Sequence, residues 1–295
     1  MAASDRNHLS ATNDSALADT RLPGPLLSPA PLLSSRPLLS LGQFLRDNRY
    51  VHQVAVLALV LLLWQLLYRF GGPALGKGPA QVWEAFSEMV DSGDLQENLW
   101  HTMQAVLIAL TIAGVVGTII GLSLALLPRV EAAVSPLLSG LNSMPRIALA
   151  PVFIIAFGIG LQAKVVLATS VVVFVFILNA RAGVKSADPD MVRMATVMGF
   201  GKVQIFFKVL LPVAMPSIFA AIRLGVIYSL LSVVASELIS SRNGLGQLVA
   251  LYSNQFRMAS VYAILIVLAI VASILNTFTG LAESRVLRWQ PPSVH

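Results

Sequence analysis

From residue 51 onward the chain returns repeatedly to apolar runs of membrane-spanning length, and that recurrence excludes most folds. A helix rises about 1.5 Å per residue, so about twenty apolar residues cross a hydrocarbon core. The runs fall near residues 51–69, 104–127, 132–159, 165–180, 216–239 and 261–282. Lipid offers backbone groups no partner, so each run has to satisfy its N–H and C=O groups internally, as a helix does. The expected fold class is an all-α membrane protein with about six transmembrane helices. Composition agrees. Hydrophobic residues make up 56% of the chain and charged residues only 12%, about half the charged share of soluble chains.

The formal net charge of +6 is spread over the ends of the apolar runs rather than gathered in one patch, which argues for a membrane and against nucleic acid. Arg46 and Arg49 precede the first run, whereas Glu84, Glu88, Asp91, Asp94 and Glu97 outweigh Lys77 after it. Lys185, Arg193, Lys202 and Lys208 lie between the fourth and fifth runs, and Arg285 and Arg288 follow the sixth. This alternation places both termini in the cytoplasm of a multi-pass protein of the plasma or inner membrane. Lys164, Arg242 and Arg257 depart from it. Residues 1–45, rich in Ser, Pro and Leu, read as a disordered cytoplasmic tail without the form of a secretory signal. Residues 46–96 hold the first span and an outer acidic loop, and 283–295 a second cytoplasmic tail.

One polar interruption, residues 187–212, is longer and more patterned than a turn requires. Asp188 can cap a helix that opens on Pro189, whose missing N–H costs nothing there. Met191, Met194, Ala195 and Met198 recur at i, i+3, i+4, i+7 as an apolar stripe. Gly199-Phe200-Gly201 supplies a stop. Val203, Phe206, Phe207 and Leu210 then repeat the pattern in a second short helix, with Pro212 ending it or opening the next element. Two amphipathic helices hinged by glycine at a membrane surface form a docking element.

The third run contains Pro136, Pro145 and Pro151, with Asn142, Ser143 and Arg146 among them. Broken helices of this kind are tolerated where they are buried in protein or line a wet path. Arg223 and Glu237 fall within the fifth run, and intramembrane charges are costly enough to carry a functional expectation. Asn142, Pro145, Arg146, Arg223 and Glu237 are therefore candidates for a translocation path or gate. Snorkelling competes for Arg223, and plain interfacial placement for Glu237. Gly114, Gly117 and Gly121 form a small-residue strip suited to close helix packing.

No catalytic constellation is visible. His8, His52, His101 and His295 pair with nothing at metal-ligand spacing, there is no cysteine, and no metal site is expected. A phosphate-cradling GxxxxGK[ST] loop is absent, because Gly78 follows Lys77 and Val203 follows Lys202. The chain is not expected to be an enzyme or to hold a cofactor.

The stretch from Asp188 to Pro212 resembles the cytoplasmic loop of the permease subunits of binding-protein-dependent ABC importers. Their signature is Glu-Ala-Ala, three residues, Gly, nine residues, Ile, one residue, Leu-Pro. Here Arg193-Met194-Ala195 holds the triplet, Gly199 the glycine, Val209 the isoleucine, and Leu211-Pro212 the ending. The NLW at Asn98, the proline-rich run from Pro136 to Gly160 and the NGLG at Asn243 are similar to the branch importing nitrate, sulfonates and taurine. Residues 97–282 carry the resemblance. It implies a type I ABC importer permease fold in which Asp188, Arg193, Met194, Ala195, Gly199, Gly201, Val209, Leu211 and Pro212 belong to an ATPase-coupling loop. Arg193 departs from the family's usual acidic residue, and Met194 from its small residue or leucine.

The resemblance further implies a cytoplasmic ATPase that uses the ATP, an extracytoplasmic solute-binding protein and a second permease copy. The cargo would be a sulfonate, taurine, nitrate or a similar small anion. A thiamine precursor or other small metabolite is the alternative cargo. A self-sufficient secondary transporter is the alternative class, disfavoured because the two halves show no internal repeat.

Overall fold

A computed structural model describes residues 49–71 and 77–287. The expected tail 1–45 and the end of the C-terminal tail, from residue 288, lie outside them. The chain divides into two compact units, residues 1–56 and 57–295. Of the first only the opening turns of helix α1 (Arg49–Gly71) are described, so the packing below is that of the second.

The described residues form helices and no strands. After α1 come α2 (Pro79–Asp91), α3 (Asp94–Leu126), α4 (Pro128–Ser143), a 3₁₀ turn (Arg146–Leu149) and α5 (Ala150–Phe157). Helix α6 (Leu161–Lys185) leads to α7 (Pro189–Val197) and α8 (Lys202–Ile205). A π turn (Phe206–Leu210) runs from α8 into α9 (Leu211–Ile239), and α10 (Leu245–Asn254) and α11 (Met258–Val286) complete the chain.

Four helices among the described residues are long and apolar enough to span a membrane, or five if one bent pair counts as a span. Six were expected. The first run is helical over Arg49–Gly71, with Val54–Phe70 as its apolar stretch. The third is a pair, Pro128–Ser143 and Arg146–Phe157, bent by 76°, because Pro145 and Pro151 cannot continue a helical ladder. Several boundaries also move. The second span begins at Asp94 rather than near residue 104, and α11 continues to Val286, into the stretch read as a tail.

The core is built on α3 and α6, whose backbones approach closely. A Cβ on Gly117 would lie 2.6 Å from the Val173 carbonyl oxygen, and one on Gly121 would lie 2.6 Å from that of Ile177. The small-residue strip is therefore an intramolecular contact. Ala105, Ala109 and Ala113 are fully buried along the same seam, against Val165, Ala168, Val172 and Phe176. Helix α9 covers this pair with Ala221, Leu230 and Val233. A second cluster gathers Leu245, Leu248 and Tyr252 of α10 with Val261 and Ile264 of α11 and Val82 and Met89 of α2. Nearby Arg257 reaches Glu88 at 2.9 Å and stacks on Tyr252. Burial, then the neighbouring Asp94 charge, push the Tyr252 phenol above its usual range. Large apolar side chains on α1, α3, α9 and α11 remain exposed (Leu62, Val115, Leu231 and Ile270 among them), as a lipid-facing surface requires.

Candidate functional site

The interruption at residues 187–212 folds largely as its pattern dictates. Asp188 is extended and its carboxylate accepts the Asp190 N–H at 2.8 Å, capping α7. At the far end Gly199 takes φ +82°. Its N–H donates to the Thr196 carbonyl at 3.0 Å, and the Phe200 N–H to that of Ala195 at 3.1 Å, the paired bonds of a Schellman stop. Gly201 caps the next helix at a negative φ, and its N–H donates to the Gln204 side chain at 3.0 Å.

Within the apolar stripe, Ala195 is buried while Met191, Met194 and Met198 are exposed. Val197, which the stripe did not include, is 88% exposed. Val203 and Phe207 are exposed on the second segment. Arg193 pairs only locally, its Nη1 reaching Asp190 at 3.0 Å with both side chains in solvent. Pro212 opens α9 rather than stopping the second helix, because the π turn carries residues 202–239 on as one helical rod. The Leu211 N–H reaches back five residues to Phe206, and this π turn leads directly into Pro212, which has no N–H to offer. Val209, Leu211 and Pro212 are half-buried at the root of that rod.

Glu237 stands at the opposite end of α9 and is 1% exposed. It is the centre of a buried polar cluster. The Lys164 ammonium donates to Glu237 Oε1 at 2.9 Å and also reaches the Asn243 carbonyl. The Thr102 hydroxyl donates to the carboxylate at 3.0 Å and accepts the Leu245 N–H at 2.9 Å. The Gly246 N–H donates to Glu237 Oε2 at 2.9 Å, and Asn98 Oδ1 accepts the Gly244 N–H at 2.6 Å. Helices α3, α6 and α9 are thus tied to the Asn243–Gly246 turn by one carboxylate. A Cβ on Gly244, where φ is +124°, would lie 2.1 Å from Glu237 Oε1. Gly244→Ala is expected to cost about 1–3 kcal/mol from overpacking alone, read as a lower thermal midpoint in detergent.

Arg223 sits nearer the interruption and meets Glu283 of α11 at 2.5 Å while remaining half-exposed. The other charged cluster at that end joins Glu131 of α4 to Arg181, at 2.7 Å, and to Lys185. Neither group approaches Glu237, so the five candidate path residues fall in three places.

Asn142, Pro145 and Arg146 share the third. They line a cavity of about 490 Å³ bounded by the α4–α5 break, α6 and α9. Pro145 ends the helical ladder and leaves the last carbonyls of α4 open. Arg146 fills that gap. Its Nη2 donates to the Leu141 carbonyl at 2.6 Å and its Nη1 to that of Ser170 at 2.5 Å, while the guanidinium lies 3.6 Å from the Phe174 ring centre. Asn179, Tyr228 and Ser232 complete the polar part of the lining. Among the described residues no group of three or more His, Cys, Asp or Glu is placed to hold a metal.

Residues 113–288 match the model of the binding-protein-dependent transport system inner membrane component family, more than half of the chain. The chain belongs to this family. It is the membrane-spanning permease subunit of an ATP-driven importer, a transport component rather than the ATPase, and works with ATPase and solute-binding partners. Among permeases of known sequence, a riboflavin transport system permease protein of Chloroflexus aurantiacus is 30% identical over 79% of this chain and 88% of its own. A putative aliphatic sulfonates transport permease protein of Bacillus subtilis is 28% identical, covering 79% and 85%. The taurine transport system permease protein of Escherichia coli is 28% identical, covering 80% and 88%. Among solved structures, an inward-facing methionine ABC transporter overlays at TM-score 0.56 and 22% identity over 64% of this permease and 92% of that chain. That overlay supports the importer permease fold.

Proposed function

We propose that this permease imports a small anion, of the sulfonate, taurine or nitrate kind, and that residues 187–212 are its ATPase-coupling loop. The observation that carries the coupling assignment is the unpartnered apolar face of α7, where Met194, Val197 and Met198 project from a stiffly capped helix. Such a face fits a helix-in-groove contact, and the ATPase is the partner that an importer permease needs there. ATP-driven closure of an ATPase dimer would move α7 and, through the continuous rod 202–239, the α9 wall of the cavity. The anion reading draws on relatives named for sulfonates, taurine and nitrate, and on a cavity lined by one arginine and no acidic residue. Charge alternation supports cytoplasmic termini, and two copies of the chain would pair around the path.

Reconstitution tests the proposal. Vesicles holding the permease with its ATPase and solute-binding protein are expected to accumulate labelled taurine or nitrate only when ATP and all three components are present. Uptake by the permease alone, driven by an ion gradient, would overturn it in favour of a secondary transporter.

A further inference from the structure

We infer that Arg146, with Tyr228 and Ser232 across the cavity, forms a binding site for a monovalent oxoanion within the permease itself. The inference deepens the proposed import of a small anion and rests on that reading for its physiological meaning, though not for its test.

Three observations support it. The first is the state of the guanidinium. Arginine presents five N–H groups in a planar fork, and Arg146 uses two of them on the Leu141 and Ser170 carbonyls. The carbonyl bonds and the Phe174 face fix its plane, and three donors are left over. None of the ion pairs among the described residues involves Arg146, and no acidic residue lines the cavity. A cation held rigidly without a counter-charge in a partly desolvated cavity favours an anion there.

The second observation comes from the facing wall. Ser232 lines the same cavity and is 1% exposed, and its hydroxyl has no hydrogen-bond partner. A buried polar atom without a partner is uncommon and calls for a physical reason. Tyr228 lies one helical turn earlier and lines the cavity too. The Tyr228 hydroxyl can donate to anion oxygens that the guanidinium leaves unsatisfied, and the Ser232 hydroxyl, closed off from the empty cavity, joins it on rotation about Cα–Cβ. The third is capacity. A volume of about 490 Å³ is within the usual range for small-molecule sites.

Valence follows from the charge count. One guanidinium neutralises one negative charge, so a dianion such as sulfate would leave a charge unpaired in a low-dielectric space. A neutral molecule of the same shape would leave the guanidinium unpaired instead. Nitrate and the head of a sulfonate share the required chemistry, with one charge over three oxygens in a compact fork-compatible array.

The test is direct binding to the purified full-length permease in lipid nanodiscs, without ATP or a binding protein. Saturation-transfer NMR on the methyl protons of methanesulfonate reads occupancy, and dimethyl sulfone provides a neutral molecule of nearly equal shape. Methanesulfonate is expected to bind and be displaced by nitrate, with the sulfone and sulfate at least about tenfold weaker. Arg146→Gln is expected to weaken methanesulfonate binding by about tenfold or more, and Arg146→Lys to retain part of it. Ser232→Ala, which removes only a hydroxyl, is expected to weaken it by roughly threefold to tenfold. Equal binding of the sulfone, or unchanged affinity in both Arg146→Gln and Ser232→Ala, would overturn the site. Intact binding without ATP-driven uptake in the complete transporter would overturn the import reading and leave the site standing.

Discussion

Glu237→Ala is expected to destabilise the permease by about 3–5 kcal/mol, the usual cost of removing one partner from a buried ion pair. The magnitude comes from what stays behind. The Lys164 ammonium is 2.9 Å from the carboxylate, and the two side chains are 5% and 0% exposed. Deleting the carboxylate leaves that cation with the Asn243 carbonyl as its remaining acceptor. The Gly246 N–H and the Thr102 hydroxyl lose their acceptor at the same time. Solvent screening, which reduces exposed pairs to a fraction of a kcal/mol, gives little relief at this depth. A thermal midpoint lower by about 10 °C follows, measurable in detergent by light scattering or intrinsic fluorescence. The double variant Lys164→Met with Glu237→Leu is expected to recover most of the loss, because replacing a buried pair with apolar residues is often close to neutral. If Glu237→Ala were no less stable than the wild type, the cluster would not be what ties α3, α6 and α9 to the Asn243–Gly246 turn.

That cluster also marks where sequence reasoning stopped. Lys164 and Glu237 are 73 residues apart, so no local spacing joins them. Lys164 read as an exception to charge alternation, and Glu237 as a candidate gate near the end of a span. Thr102, a single hydroxyl, carries no signal of its own. Their common function exists only after α3, α6 and α9 pack. Tyr228 and Ser232 escaped for a related reason. They recur at a spacing of four, which places them on one face, but which face meets the cavity depends on how α9 leans on α6. The α4–α5 break was legible because proline acts locally, although its division into a bent pair was not. The interruption at residues 187–212 was the most legible part of all. Its cap at Asp188, its stripe and its glycine stop are decided within one or two helical turns, where side chain and backbone compete directly. Even there, the continuity of the rod 202–239 was missed, since a π turn leaves no residue-type signature comparable to that of a cap.

Gly199→Pro is expected to disconnect the permease from its ATPase while leaving it folded in the membrane. Proline holds φ near −65°, whereas Gly199 requires +82°, and proline also lacks the N–H that donates to Thr196. The Schellman stop therefore cannot form, and α7 loses the fixed angle at which Met194, Val197 and Met198 are presented. An incompatible proline costs about 3 kcal/mol, equivalent to roughly a hundredfold loss in affinity if the bound state needs the native turn. The expected readings are loss of ATPase copurification and of ATP-driven uptake, with unchanged membrane yield. Folding of the spans should survive, because nothing lies within 4 Å of a Cβ built at Gly199 and the turn lies outside every spanning helix. Gly199→Asn separates geometry from chemistry. Asparagine tolerates the left-handed region, so this variant is expected to keep most of the coupling despite a larger side chain. Retained ATPase capture and uptake in Gly199→Pro would overturn the coupling role of the loop, whereas equal loss in both variants would assign the defect to side-chain bulk rather than to backbone angle.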